Sequence, residues 1–266
     1  RQVRYEPGRI IYTQGAPAAD MQLLLEGQVA RLEGSARGLP AGNIDAPAPL
    51  CFEEVIEGAP VDATLRAVDQ AICLSLSSEQ VLALLSENVD LAQGLFRTVL
   101  ERNAWLRSHA VLKGGLSQAG TSRLTGGVQA VEKILLIGEM PVFARASTAD
   151  LAALAAIARE TPLSAGQSLF KEGAPPALYL VLSGEITLEP VAGSEPEKAG
   201  PGDTIGLYET LVGAQTMARR AEATAAGTAL RIERDALFDL LTDRIELLQT
   251  LFSAVLRRPA PEPVSA

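Results

Sequence analysis

The sequence predicts a mainly β chain with flanking helices, built from two β-roll domains of the double-stranded β-helix, or jelly-roll, type, each followed by C-terminal helices. The first observation behind this fold class is that the chain repeats itself. Three pairs of segments match at offsets of 158, 157 and 156, namely 7–17 with 165–175, 23–29 with 180–186, and 95–96 with 251–252. Because so small a drift needs only two short indels, the chain is a tandem repeat.

The second observation is that glycines separate short apolar runs in both repeats. Segment 178–182 followed by segment 184–188 is typical of two strands joined by a glycine turn. Glycine adopts positive φ at such corners without a steric penalty. The glycines with this placement are at positions 8, 15, 27, 166, 173, 184 and 202.

Helices are predicted where apolar residues recur at helical spacing after a capping residue. Ser77 and Gln80 have the spacing of a capping box at the end of the first repeat. A helical pair at 130–136 and 147–160 precedes the second repeat, and Ser147 or its neighbour is a suitable N-cap for the second of them. Each repeat is therefore expected to combine a β-roll with helices.

These elements divide the chain into four segments. We expect a first domain at 1–112, a glycine-rich linker at 113–129, a second domain at 130–258 and a proline-rich tail at 259–266. We also expect the chain to be part of a longer protein, with the first repeat lacking N-terminal helices. The two domains are expected to move separately about the linker.

Composition excludes several function classes. The 266 residues carry a net charge of −9 without a basic run, which argues against nucleic acid and anionic membrane surfaces as partners. Two cysteines, Cys51 and Cys73, and one histidine, His109, do not make a zinc motif, so we expect no metal site and a cytoplasmic location. No hydrolase, metalloprotease or phosphate-loop motif occurs, and we expect no catalytic residue.

Spaced motifs of the second repeat resemble those of the cyclic-nucleotide-binding domain family. They are Pro141-Val142-Phe143, the helix at 150–158, the glycine-flanked segment 166–173, the strand pair 178–186 and Gly202-Asp203-Thr204-Ile205-Gly206. The resemblance covers 140–258 and, with fewer matches, 4–102. It implies a β-roll with a ligand-binding cassette. In the family, a glutamate of the cassette accepts a hydrogen bond from the ribose 2′-hydroxyl, and an arginine about ten residues later pairs with the cyclic phosphate.

The second cassette, 206–218, begins with the expected Gly206 but lacks both ligand-binding side chains. Laid on the family pattern, Leu207 stands at the glutamate position and Met217, followed by Ala218, stands at the arginine position. Arg219 and Arg220 follow directly. They are interpreted as solvated edge-strand charges, with the alternative that a register shift brings one of them to the phosphate.

The first cassette, 52–63, departs from the pattern in a different way. Phe52 is interpreted as replacing the glycine, Glu53 as keeping the glutamate position, and Val61 as replacing the arginine. Asp62 adds a negative charge close to the place of the phosphate. Burying a phosphate without a cation costs several kcal/mol, so neither cassette is expected to bind cyclic nucleotide tightly.

The sequence therefore predicts a non-catalytic regulatory or sensor module of a larger protein, with that protein's other domains as partners and with no cofactor required. Two alternatives remain open. The second domain could sense a cyclic nucleotide or another nucleotide through Arg219 or Arg220. The chain could instead be a structural scaffold that forms a homodimer through its C-terminal helices, at 90–112 or 243–257.

Overall fold

The computed structural model describes residues 1–32, 40–102, 109–117, 129–190 and 195–256. The chain forms two compact units, Arg1–Leu85 and Ser86–Ala266. Antiparallel sheets dominate both units and helices flank the sheets, which confirms the predicted fold class. None of the helices in the described ranges has both the length and the hydropathy that a bilayer span needs.

The first unit is a roll of two four-stranded antiparallel sheets. Its elements are β1 Gln2–Tyr5, β2 Ile10–Tyr12, β3 Asp20–Glu26, β4 Gln28–Leu32, β5 Pro40–Asp45, β6 Ala48–Leu50, α1 Phe52–Glu57, β7 Thr64–Ala67, β8 Ala71–Ser77 and α2 Ser78–Glu87. The strand orders are β1-β8-β3-β6 and β2-β7-β4-β5. Leu24 and Cys73 from one sheet pack with Val29 and Leu65 from the other, and these four side chains lie in the core of the roll.

The second unit repeats this topology with longer strands. Its elements are α3 Val89–Arg102, β9 Val111–Leu112, α4 Ala130–Glu139, α5 Thr148–Ile157, β10 Arg159–Leu163, β11 Ser168–Phe170, β12 Ala177–Leu188, β13 Glu197–Ala199, β14 Thr204–Ile205, α6 Leu207–Leu211, β15 Ala221–Glu233, α7 Arg234–Asp243 and α8 Ile245–Leu256. The sheet order is β10-β15-β12-β14-β9, with β11 on β15 and β13 on β12. β12 thus takes the place of β3 and β4, and β15 that of β7 and β8.

The glycine at the middle of β12 bends this strand without ending it. Gly184 has φ +84°, and a Cβ there would lie 2.8 Å from the carbonyl oxygen of Ala226. The pairing with β15 shifts register around Ser183 and Glu185 but continues on both sides. The predicted pair of strands is therefore one continuous bent strand.

The predicted helix starts are confirmed in detail. The Ser77 amide donates to Gln80 Oε1 at 3.0 Å, and the Gln80 amide donates to Ser77 Oγ at 3.3 Å. Ser147 Oγ accepts from the Asp150 amide at 3.2 Å and caps α5. The helix predicted to reach residue 160 ends at Ile157, because the chain enters β10 at Arg159.

The division between the units lies earlier than the predicted domain end at residue 112. The Phe96 ring of α3 stacks on Phe252 at 3.9 Å between centroids and meets the edge of Phe238 at 6.2 Å. This packing makes α3 part of the second unit, although by sequence it closes the first repeat. Residues 113–117 of the predicted linker lie within the described part of the chain, whereas 118–128 and the tail 259–266 lie outside it.

Candidate functional site

The two cassettes share one backbone geometry. Gly206 precedes α6 with φ +79°, and a Cβ there would lie 2.5 Å from the carbonyl oxygen of Ala177. Cys51 occupies the same place before α1 with φ +54°, a conformation unusual for a residue other than glycine. At the far end of the helices, Gly58 and Gly213 have φ +65° and +70°. The cassette helices can therefore be superposed residue by residue.

This superposition corrects the sequence register of the first cassette by one residue. Cys51, not Phe52, stands at the glycine position, and Phe52 matches Leu207. Glu53, interpreted from sequence as the ribose-binding glutamate, matches Tyr208 instead and is exposed. Phe52 and Leu207 are both buried. Neither cassette therefore presents a carboxylate at the position that the family resemblance gives to the ribose ligand.

Met217 lies in the hydrophobic core of the second roll. Its amide donates to the carbonyl of Ala174 at 2.8 Å, and its own carbonyl accepts from the Gly173 amide at 3.0 Å. The side chain is 2% exposed and packs in the cluster that contains Tyr179 and Val181. The structure thus places this side chain in packed interior.

Val61 occupies the same position in the first roll. Its amide and carbonyl pair with Ala16 and Gly15, as those of Met217 pair with the matching residues of the second repeat. Its side chain is also 2% exposed. The sequence alignment of Val61 with Met217 is therefore confirmed by backbone pairing, and at both positions an apolar side chain is buried.

Arg219 is buried, which corrects its interpretation as a solvated edge charge. Burial alternates along residues 217–220, so that Met217 and Arg219 are buried while Ala218 and Arg220 are exposed. The Arg219 side chain is 7% exposed and forms an ion pair with Glu197 of β13. Glu197 also accepts hydrogen bonds from the amides of Ala110 and Val111, at 3.1 and 3.2 Å.

Arg220 points outward, as the sequence predicts for an edge charge. Its guanidinium pairs with Glu222 and lies 3.5 Å from Glu189, and about half of its side chain is exposed. Ala218, one residue on the other side of Arg219, is exposed as well. Of the two arginines that follow the cassette, Arg219 is therefore the buried one, and it already has a carboxylate partner.

The first cassette itself contains several acidic side chains. Asp62 is exposed and pairs with Arg31 at 2.5 Å. Burial raises the pKa of the Glu54 carboxyl, and the neighbouring Asp62 raises that pKa further. The sequence interpretation of a solvated acidic helix face holds for Glu53 and Glu57 but not for the half-buried Glu54. Burial also raises the pKa of the Cys51 thiol to about 12, so the thiol is neutral at physiological pH.

Glu209, which matches Glu54 in the superposed cassettes, is a residue that the sequence motifs did not indicate. Its side chain is buried, and its Oε2 atom has no hydrogen-bond partner. Burial raises the pKa of the Glu209 carboxyl, while the nearby Arg219 lowers it and Glu197 raises it. A glutamate at the third position of both cassette helices is visible in the sequence only after the register of the first cassette has been corrected.

Replacing Glu209 with glutamine is expected to stabilise the second unit at neutral pH. A carboxyl whose pKa is raised on folding contributes stability below its unfolded pKa and loses that contribution as pH rises through the folded pKa. The Glu209→Gln variant removes this loss, so its advantage over the parent should shrink as pH falls through the raised pKa of Glu209 and be gone below the ordinary glutamate pKa of about 4. Urea unfolding of both proteins at several pH values measures the difference. An advantage that is the same at every pH would contradict the assignment to Glu209.

Comparison with protein families places both rolls in one group. The model of the cyclic nucleotide-binding domain matches residues 2–88 and again residues 160–244, together more than half of the chain. The chain belongs to this family. The two matches coincide with the two rolls and contain both cassettes.

Solved structures similar to this chain include several regulatory proteins. One is the regulatory subunit of a cAMP-independent protein kinase A from Trypanosoma brucei, with 13% identity, 91% of this chain and 76% of that chain covered, and a TM-score of 0.38. Another is the sensor domain of the transcriptional regulator DNR from Pseudomonas aeruginosa, with 20% identity, coverage of 44% and 82%, and a TM-score of 0.40. A third is a cyclic nucleotide-binding-like protein from Brucella abortus, with 29% identity, coverage of 41% and 97%, and a TM-score of 0.35. No curated protein sequence matches the chain.

Proposed function

We propose that this chain is a non-catalytic regulatory module of the cyclic nucleotide-binding domain family whose two cassettes do not bind cyclic AMP or cyclic GMP tightly. The observation that carries the proposal is the ion pair between the buried Arg219 and the largely buried Glu197, which neutralises the guanidinium that follows the second cassette. Other domains of a larger protein are the proposed partners. The cytoplasmic location expected from the sequence stays a prediction.

In the second cassette, a cyclic phosphate has to compete with the protein's own carboxylate. Binding to Arg219 would require the phosphate to displace Glu197, which then stays close by as an unpaired negative charge. Removing one partner of a buried pair typically costs about 3–5 kcal/mol. Leu207 offers no acceptor to a ribose hydroxyl, and Met217 offers no cation. The second cassette therefore lacks the ribose and phosphate contacts that would offset this cost.

In the first cassette, the local electrostatics oppose an anion as well. Val61 is apolar and buried where the family resemblance places the arginine. The nearby cation, Arg31, is half exposed and pairs with Asp62. Glu54 adds a second carboxyl beside Asp62. A phosphate placed here would meet two acidic groups and one cation that is already paired.

We expect calorimetric titration of the intact chain with cyclic AMP or cyclic GMP to give dissociation constants weaker than about 10 μM for both units. The physical reason is the loss of a charge-assisted pair at each phosphate position, which costs about 2–5 kcal/mol of affinity. A saturable binding isotherm with a dissociation constant tighter than this value would overturn the proposal.

A cyclic-nucleotide or other nucleotide sensor that uses Arg219 is the second candidate function. The observation that favours it is that Arg219 is buried, two residues beyond the buried Met217. Arg220 does not favour it, because its side chain is outside and paired with Glu222. In the calorimetric titration, binding that disappears in an Arg219→Gln variant would support this candidate against the first.

A homodimer through the C-terminal helices has less support. The apolar side chains of α3 and α8 that such a dimer would use already pack on each other, with Phe96 stacked on Phe252. Both rings are fully buried in this chain. Sedimentation of the intact chain is therefore expected to show no dimer that forms through α3 or α8.

A further inference from the structure

Residues 109–114, called the strap below, add a strand to the second roll. Val111 and Leu112 of β9 pair antiparallel with Ile205 and Thr204 of β14. Val111 is buried in the core cluster of the roll, and the carbonyl of Ala110 accepts from the amide of Gly206 at 3.4 Å. The strap therefore covers the edge of the sheet beside the start of the cassette helix.

One largely buried carboxylate holds the first half of the strap. Both oxygens of Glu197 accept from the Ala110 amide, at 3.2 and 3.1 Å, and Oε2 also accepts from the Val111 amide at 3.2 Å. The same carboxylate pairs with Arg219. Glu197 thus joins three partners, of which two belong to the strap and one to the cassette. Without the guanidinium, its charge would lie in a mostly buried place with only amide partners.

A second carboxylate holds the other half of the strap. Asp203 accepts from the Gly114 amide at 2.8 Å and from Lys113 Nζ at 3.0 Å. It also accepts from the amide of Gly200 at 2.8 Å. A Cβ on Gly114 would lie 2.3 Å from the carbonyl oxygen of Gly202, so the backbone of the strap is pressed closely onto the turn before β14.

The first roll provides an internal comparison for the ion pair. Gly42 of β5 pairs with Arg31 of β4, and Glu197 of β13 pairs with Leu188 of β12. Arg31 and Leu188 are equivalent positions of the repeat at the offset of 157, so Gly42 matches Glu197. Ala63 matches Arg219 by the same superposition that matches Val61 with Met217. In the described part of the first unit, no strand pairs with the free side of β6. The ion pair therefore occurs in the roll that carries a strap.

The strap is also placed to report on the cassette. It contacts the start of α6 through Gly206. The end of α6 is bound by α3, because Arg97 Nε donates to the carbonyl of Val212 at 3.0 Å. α3 and the strap both lie between the first roll and the second in the chain. Both ends of the second cassette helix thus contact the segment that connects the two repeats.

We propose that the strap is a releasable latch on the second roll, and that the Arg219–Glu197 pair is its lock. Loss of either charge frees residues 109–112 from β14 and Glu197 while the roll stays folded. An event at the cassette that draws Arg219 away from Glu197 then releases residues 109–112 of the strap. This coupling holds whether or not a cyclic nucleotide binds.

Hydrogen exchange of the intact chain, read by mass spectrometry, tests the latch in Glu197→Gln and Arg219→Gln variants. The strap amides are expected to exchange about ten- to a hundred-fold faster than in the parent, since their Glu197 acceptor loses its charge in one variant and its guanidinium partner in the other. Peptides from β12 and β15 should keep the protection of the parent protein. The matched control is Glu185→Gln, which breaks the exposed Glu185–Lys198 pair on the neighbouring strands and should leave the strap unchanged.

Two results would overturn the latch. Strap exchange that stays at the parent rate in both variants would show that the ion pair does not hold it. Strap and β12 amides that accelerate by the same factor would show that the pair only supports the whole roll. If Arg219→Gln does not fold, Arg219→Lys keeps the charge but loses the guanidinium geometry, and an intermediate acceleration confined to the strap is then expected.

Discussion

Replacing Met217 with arginine is expected to destabilise the second unit by about 3–5 kcal/mol, because an unpaired charge would enter the core of the roll. The side chain is 2% exposed and packs among apolar neighbours. Urea unfolding, followed by circular dichroism and by exchange of β12 amides, measures the loss. The control is Met217→Leu, which conserves volume and should cost less than about 1.5 kcal/mol.

The same reasoning applies to the double variant Leu207→Glu with Met217→Arg, which restores both side chains of the family pattern. Leu207 is as deeply buried as Met217, so the variant is expected to lose the fold of the second unit rather than gain ligand binding. A folded double variant that binds cyclic AMP would show that these two positions face an open pocket. That outcome would contradict the packed interior described above.

Replacing Phe96 with alanine is expected to cost the second unit about 3–5 kcal/mol, although this residue belongs by sequence to the first repeat. Its ring is fully buried, stacks on Phe252 and meets the edge of Phe238. Hydrogen exchange of α7, α8 and β12 in the Phe96→Ala variant reports where the loss falls.

Leu91 provides the control on the same helix, because its side chain is 41% exposed. Leu91→Ala should change the free energy of unfolding by less than about 1 kcal/mol. If Phe96→Ala instead lowered protection in the first roll and left α8 and β12 unaffected, α3 would belong to the first unit and the division at residue 85 would be wrong.

Much of the fold could be predicted because local signals agree with the repeat. The capping pairs at Ser77 and Ser147 follow from short-range hydrogen bonding, which the sequence alone specifies. The alignment of Val61 with Met217 followed from laying both cassettes on the family pattern. The place of α3 could not be predicted in this way, since the packing of Phe96 on Phe252 joins residues far apart in the chain.

The cassettes were harder to predict for two physical reasons. Cys51 adopts a left-handed conformation that sequence analysis reserves for glycine, so the first cassette was displaced by one residue. The burial of Arg219 depends on an irregular segment between α6 and β15 and on a partner, Glu197, that lies in β13. The sequence alone does not show whether an arginine binds a ligand anion or pairs with a carboxylate of the protein.

The claim that both cassettes are filled by the protein's own side chains is tested most directly by backbone amide resonances of Gly206 and Cys51. These residues begin the two cassette helices. Cyclic AMP and then cyclic GMP are added to the intact chain up to about 100 μM. We expect the resonances of both residues to stay in place. A saturable shift of either resonance with a midpoint below about 10 μM would contradict the claim.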